Sequence, residues 1–262
     1  MNLDLKGKHA LVAGSTQGIG KAAAMELAEL GASITLVARN EEKLKKVVQM
    51  LPKSKGQNHD YIVADFSKPE LLKINVADYL SQGNIFHILV NNTGGPPGGQ
   101  GIDAGIEEFK LAFSNHLICN HILVQACVDG MKQAGYGRII NIISTSVKQP
   151  LPGLGVSNTI RGAVANWAKT LANELGKYNI TVNNVLPGAT KTSRLESIIN
   201  TKSDQLGVEF DKILAQMADA VPMKRVAEPK EIGAAVAFLA SPAAGYINGV
   251  NLPVDGGRTS SL

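Results

Sequence analysis

The chain has 262 residues, 44% apolar and 18% charged, with a formal net charge of +4, the composition of an ordinary globular α/β domain that can bury a core without staples. Aromatics are only 5% and no Lys/Arg block is interleaved with stacking residues, which argues against a nucleic-acid partner. No stretch of about 18 apolar residues suggests a membrane span, and the first apolar run is too short for a signal peptide, so a cytoplasmic protein is expected.

The first apolar run, HALVAG, leads through glycines into KAAAMELAELG, a helix with Gly31 just past its end. ASITLVA is a strand and EEKLKKVVQML a helix stopped by Pro52. After the strand DYIVAD, the segment PELLKINVADYLSQG begins with proline and ends in glycine, as helices do. FHILVNN is a strand, and one long helix is expected from about Ile106 to Gln133. RIINII is a strand, the chain after Gly155 is helical to about Tyr178, and ITVNNVLP is a strand. PKEIGAAVAFLA is a helix, and GVNLPVDGG holds the last strand. Strands and helices alternate, and several strands are almost continuously apolar. That pattern predicts one α/β domain over residues 1–262, a doubly wound parallel sheet of Rossmann type with helices on both faces. Ligands are expected at the carboxyl ends of its strands.

Three stretches allow two readings each. Cys119 and Cys127 lie on the long helix with no CxxC or His/Cys cluster nearby, so they read as reduced core thiols and no metal site is expected. Lys43 to Lys55 reads as a solvated helix face, or as a positive field beside an anionic ligand. Residues 193–223 break the alternation after the sixth strand. They read as a lid over the ligand crevice or as a passive surface excursion. The Arg194, Lys202 and Lys212 side chains of this segment would then attract an acidic carrier protein or a carboxylate, or serve as plain surface charge.

The glycine cluster AGSTQGIG carries the chemistry. Gly14 permits a tight turn, Gly18 lets backbone amides approach a pyrophosphate, and Gly20 lets helix pack on strand. The helix that follows aims its free amides at that phosphate. Between the first strand and first helix of an alternating chain, this is a dinucleotide site, with Ser15, Thr16 and Ile19 in its loop. The second strand ends in Ala38 and Arg39, where a carboxylate would hold the ribose 2′-hydroxyl of NAD. An arginine there pairs instead with a 2′-phosphate, so NADPH is expected over NADH.

The spacing GxxxGxG resembles the short-chain dehydrogenase/reductase family. VNNTGG, GRIINIIS, PGATKT and the run from VPMKRVAEPKEIG to NLPVDGG resemble its other motifs over nearly the whole chain. The wording looks most like 3-oxoacyl-acyl-carrier-protein reductases. The resemblance implies that Asp65 and Phe66 contact the adenine, that Asn91 and Gly94 line the cofactor groove, and that Pro187 and Gly188 lead a nicotinamide loop. It gives Thr190 or Thr192 the carboxamide or a phosphate. It also makes Ser144 the catalytic serine and Asn115 the holder of a relay water, and it implies a homo-oligomer, a tetramer, paired through the helices before and after the fifth strand. Leu117, Ile118, Leu123, Val124, Val164, Trp167, Ala168 and Leu171 are the apolar residues proposed for that face.

One departure stands out. Where the family keeps its tyrosine and lysine, in register with Ser144, this chain has Ser157 and Arg161. Tyr61, Tyr79, Tyr136, Tyr178 and Tyr246 are followed four residues later by Asp, Gly, Ile, Val and Val, so none reproduces the motif. Serine is a far weaker acid than tyrosine, and arginine keeps its proton. Two readings follow. One is an NADP(H)-dependent oxidoreductase with an atypical site, acting on a small-molecule or carrier-bound carbonyl, with Ser144 orienting it. Arg161 would hold the ribose and polarise the oxygen, and a water near Ser157 or Asn115 would supply the proton. The other is a non-catalytic NADP(H)-binding sensor or assembly protein.

Overall fold

The computed structural model describes residues 1–261. The apolar runs form β1 (His9–Ala13), β2 (Ser33–Ala38), β3 (Asp60–Val63), β4 (Ile88–Asn91), β5 (Gly137–Ile142), β6 (Ile180–Pro187) and β7 (Asn251–Val254). They make one parallel sheet in the order β3-β2-β1-β4-β5-β6-β7. The chain builds outward from β1 to β3, then returns to place β4 on β1's other side. This reversal opens a crevice at the carboxyl ends of β1 and β4, the place where doubly wound sheets take ligands.

Both sheet faces are covered, and the strands show why. In β1, Ala10 and Val12 join the core beneath α1 (Gly18–Glu29), α2 (Glu41–Met50) and α9 (Pro229–Ala240). Leu11 and Ala13 face the opposite core, beneath α3 (Pro69–Ser81), α5 (Cys119–Ala134) and α6 (Gly155–Leu175). Successive strand residues point to opposite faces, so a strand buried on both must be apolar throughout. The helix ends follow their local chemistry. Gly31 takes φ +105° past α1, Pro69 opens α3, and Asn40 caps α2 by accepting from the Lys43 amide at 2.9 Å.

The expected single helix from Ile106 to Gln133 is instead α4 (Ile106–Phe113), a π turn over Ser114–Ile118, and α5. The extra residue per turn rotates Asn115 and His116 relative to an unbroken helix, and such turns recur at functional sites. By length and composition the run Ile106–Ala134 would be enough to cross a membrane. Here Cys119, Leu123, Val124, Cys127 and Met131 are core residues on its inner face. Burial raises both thiols, Cys119 to about 11 and Cys127 to about 12, as expected for reduced core cysteines. Lys43 to Lys55 gives only Leu44, Val47 and Leu51 to the core and leaves its lysines exposed.

Two expectations need correction. Leu123, Val124, Val164, Ala168 and Leu171 are buried within this chain, because they fill the space between the helices and their own sheet. The exposed apolar side chains nearby are Ile106, Leu111, Phe113 and Ile118. Asn91, at the end of β4, is also buried, and its amide donates to Asn141 at 2.8 Å. Asn141 donates to Asn184 at 2.9 Å and Asn184 to Asn251 at 2.8 Å. These residues stand in register across β4, β5, β6 and β7. The Asn91 side chain therefore belongs to a ladder inside the sheet and not to the surface of the crevice.

Residues 193–223 form α7 (Ser193–Leu206) and α8 (Phe210–Asp219), packed on a small core of Leu195, Ile199, Ile213 and Val226.

Candidate active site

The glycine loop leaves β1 with Gly14 at φ +59° and enters α1 with Gly18 at φ +55°, values that L side chains rarely adopt. A Cβ on Gly14 would stand 2.6 Å from the Asn92 carbonyl oxygen, and one on Gly20 would collide with the Gly14 carbonyl. The Asn92 amide donates to the Gly14 carbonyl at 3.1 Å, so β4 braces the loop from below. Ser15 is fully buried and its Oγ has no partner. Thr16 and Ile19 are half-buried, and no side chain caps α1, which leaves its first amides free for an anion. The loop's shape, the open helix end and the orphaned hydroxyl fit a dinucleotide pyrophosphate.

Arg39 is exposed at the end of β2. The nearest acid in sequence, Glu41, is engaged by Lys45 at 3.1 Å and the Tyr61 hydroxyl at 3.0 Å. Asp65 and Phe66 follow β3. Burial opposes ionisation of Asp65, but hydrogen bonding from Ser67 and the charges of Arg39 and Lys68 hold it below the usual carboxylate range. Gly94 is exposed, with open space where its Cβ would be. Arg39, Asp65 and the glycine loop thus gather at one end of the crevice.

The other end is built by β5, α6 and the segment after β6. Ser144 follows β5, and its Oγ accepts from the Ser146 amide at 3.1 Å. Ser157 lies in the first turn of α6, with Arg161 one turn further on the same face. Arg161 is 8% exposed. Its Nη1 donates to the Ile142 carbonyl at 2.9 Å, which ties it to the end of β5, and its Nε has no partner. Burial and the nearby Arg194 lower its pKa to about 10, so it remains a cation near neutrality. Asn115 is in the π turn with its Oδ1 buried and unpartnered.

Beside it lies His116, which the sequence reading missed. Its Nδ1 is 2.7 Å from the Thr93 hydroxyl. Burial first and then Arg161 lower its pKa to about 3, against an opposing hydrogen bond to the Gly94 backbone. It is therefore neutral at pH 7. The only signal was its position next to Asn115, because apolar periodicity does not register a π turn.

The segment after β6 meets the glycine loop. Gly188 donates to the Val254 carbonyl at 3.0 Å, and a Cβ there would meet Asp255 at 2.8 Å, which holds Pro187 and Gly188 against the end of β7. Thr190 is buried and donates to the Gly188 carbonyl at 3.0 Å. Thr192 caps α7, and its methyl lies 3.1 Å from where a Gly18 Cβ would be. Gln17 donates to the Ser193 hydroxyl at 3.0 Å. Of the two threonines, Thr192 is the one beside the glycine loop. On the far side, the Gly99 amide donates to the Gly153 carbonyl at 2.8 Å and the Gly155 amide donates to the Gly99 carbonyl at 3.0 Å, and a Cβ on Gly155 would strike Gly101. The loop after β4 is thereby fastened to the start of α6, next to Ser157.

A doubly wound sheet with this loop, and with a serine and a cation at the end of β5, defines a dinucleotide-dependent oxidoreductase. Residues 13–259 match the family described as Enoyl-(Acyl carrier protein) reductase. The chain belongs to that family, within the short-chain dehydrogenases/reductases. It is 30% identical over 254 residues to the NADPH-dependent reductase BacG of Bacillus subtilis, covering 97% of this chain and 98% of that protein. It is 31% identical over 253 residues to the 3-oxoacyl-[acyl-carrier-protein] reductase FabG of Chlamydia trachomatis, covering 97% and 98%. The structure of L-sorbose reductase from Gluconobacter frateurii, complexed with NADPH and L-sorbose, superposes with a TM-score of 0.93 at 32% identity, with both chains fully covered.

Proposed function

We propose that the protein is an NADPH-dependent reductase of small carbonyl compounds in which the usual phenolic acid is replaced by a water-mediated proton path. The observation that carries this reading is the arrangement of one crevice. A glycine loop and Arg39 lie at one end, and Ser144 with the buried Arg161 lies at the other. BacG is an NADPH-dependent reductase by name, and the sorbose reductase was solved with NADPH, which supports the same cofactor here.

When bound, the cofactor supplies a hydride to the carbonyl carbon. The amides at the start of α1 would hold its pyrophosphate, Arg39 its 2′-phosphate, and Thr192 the carboxamide at the mouth of the lid. Ser144 donates a hydrogen bond to the carbonyl oxygen and orients it. Arg161 would stabilise the charge that develops there through its Nε, which has no partner, while its Nη1 is bonded to Ile142. Ser157 is too short to reach the place of a phenol, so a water between Ser157 and Asn115 passes its proton to the alkoxide and is re-protonated from solvent. Neutral His116 orients this region through Thr93. The helices of residues 193–223 act as a lid over this end. The same reading includes a cytoplasmic location, consistent with two buried reduced thiols, a homotetramer, and a substrate that is free or carried on an acyl carrier protein.

The test is a fluorescence titration with NADPH and NADH, followed by NADPH consumption across a panel of oxo and enoyl substrates. Tighter binding of NADPH with turnover of at least one oxo compound is the expected result. Equal affinity for the two cofactors would overturn the cofactor assignment. Tight binding without any turnover would favour a cofactor-sensing module instead.

A further inference from the structure

Two guanidinium groups converge on Gly95, in the loop after β4. A Cβ at that position would stand 3.7 Å from an Nη2 of Arg161 and 3.7 Å from an Nη2 of Arg194. Among the described residues no carboxylate is within ion-pair distance of either arginine. Arg161 is nine-tenths buried with an orphaned Nε, so its charge is desolvated with one carbonyl hydrogen bond and no counter-ion, an expensive state unless an anion completes it. Arg194 is also oddly placed. It lies in the first turn of α7, where the helix dipole repels a cation and attracts an anion. It is nonetheless tethered across the crevice by a hydrogen bond from its Nη2 to the Pro96 carbonyl. By contrast, Lys202 and Lys212 are exposed and contribute nothing to this point.

We infer that Arg161 and Arg194 form an anion subsite at the reducing end of the crevice, and that its occupant is the carboxylate of a short oxo acid. The inference rests on the reductase reading above and names the substrate class for it. Two sources of anion are chemically possible, a substrate carboxylate and a cofactor phosphate. Place in the fold favours the first. The phosphates have their own seats at the start of α1 and at Arg39, whereas Arg161 is bonded to Ile142, two residues before Ser144. A carboxylate held there would have its carbonyl one or two bonds away, on the side of the crevice where Ser144 follows β5. Paired guanidinium groups suit a planar carboxylate because each presents parallel N–H donors. The arrangement also accounts for arginine at position 161. A lysine would offer a single point charge, whereas the arginine can bond the Ile142 carbonyl and the substrate together.

The probe is oxamate, an unreactive isostere of a 2-oxo acid, with ethyl oxamate as its uncharged counterpart. Calorimetric titration is carried out on the protein alone and on the protein saturated with NADPH, while cofactor affinity is followed separately by NADPH fluorescence. Oxamate is expected to bind the NADPH-loaded protein at least tenfold more tightly than ethyl oxamate. Arg194→Gln should weaken oxamate about tenfold or more, the loss expected for one charge-assisted hydrogen bond. The same change should leave NADPH affinity within about twofold, and Arg194→Lys should restore part of the oxamate affinity. Equal binding of oxamate and ethyl oxamate would overturn the inference. So would competition between oxamate and NADPH, with Arg194→Gln weakening the cofactor, since the occupant would then be a cofactor phosphate. If NADPH itself does not bind, the reductase reading falls, and the subsite is judged by the effect of Arg194→Gln on oxamate bound to the protein alone.

Discussion

A lysine in the place of Arg161 could move a proton on and off its nitrogen, but the guanidinium holds its proton even when burial lowers its pKa to about 10. In the proposed reading the site keeps its positive charge at Arg161, and its acid is lost with the phenol that Ser157 replaces. At the opposite end, the proposed reading gives Arg39 the 2′-phosphate that distinguishes the two nicotinamide cofactors. Arg39→Ala should weaken NADPH by about 10- to 100-fold, the loss of one or two charge-assisted hydrogen bonds, and leave NADH unchanged. A parallel titration of both cofactors reads this, and an equal loss for both would show that Arg39 supports the fold instead. His116 makes a different prediction. Its folded pKa is near 3, so as pH falls below the ordinary value of about 6.5 the unfolded chain takes up the proton first. Stability contributed by the neutral ring is complete above that value and is lost progressively down to about pH 3. At pH 5 the loss is on the order of 2 kcal/mol. His9, lowered by burial and by His87 to about 4, acts in the same direction. Urea unfolding at pH 7 and pH 5 should show the decline, and His116→Gln should make it smaller. An unchanged decline would remove His116 from the account. Ser144, Ser157 and Arg161 could be placed only through the register of the family resemblance. His116 and the meeting of Arg161 with Arg194 could not, because they depend on a π turn and on a contact between segments far apart in the chain.

At the level of elements, apolar runs and glycine or proline boundaries were enough to place every strand and most helix ends, since a doubly covered sheet demands continuous apolar strands. Polar residues inside strands were harder to read. Asn91, Asn141, Asn184 and Asn251 look like strand ends or interruptions when taken singly. In the structure they form one hydrogen-bonded row across four strands, and only strand order and register bring them together. Removing Asn141 would leave the Asn91 donor and the Asn184 acceptor unpaired in the sheet interior. Asn141→Ala is expected to cost about 2–5 kcal/mol, counting two orphaned buried groups and a small cavity. A fall in the unfolding midpoint checks this, and a loss below about 1 kcal/mol would mean that the row is not structurally coupled. The long helix shows the limit of periodicity from another side. Its apolar pattern is compatible with an unbroken helix, and the π turn reflects packing of α4 and α5 against α3 and α6.

For the whole molecule, the apolar residues expected to pair subunits proved largely to be this chain's own core, while Ile106, Leu111, Phe113 and Ile118 remain exposed along the same helical run. The proposed oligomer would bury these side chains. Light scattering at micromolar concentration should give a multiple of the single-chain mass, with Leu111→Glu and Phe113→Glu together shifting it toward the monomer. A single-chain mass for the unmodified protein would contradict the tetramer. In the proposed reading the fold retains a reductase's cofactor crevice while lacking the phenolic acid. Loss of a positioned acid lowers a rate by about 10²- to 10⁴-fold. The most direct test measures NADPH consumption with a 3-oxoacyl substrate by the unmodified protein and by the double variant Ser157→Tyr, Arg161→Lys, once both are shown to be folded and to bind NADPH. The account predicts slow turnover in the unmodified protein and a gain of at least about tenfold in the double variant. Fast turnover by the unmodified protein, undiminished by Ser157→Ala, would contradict it.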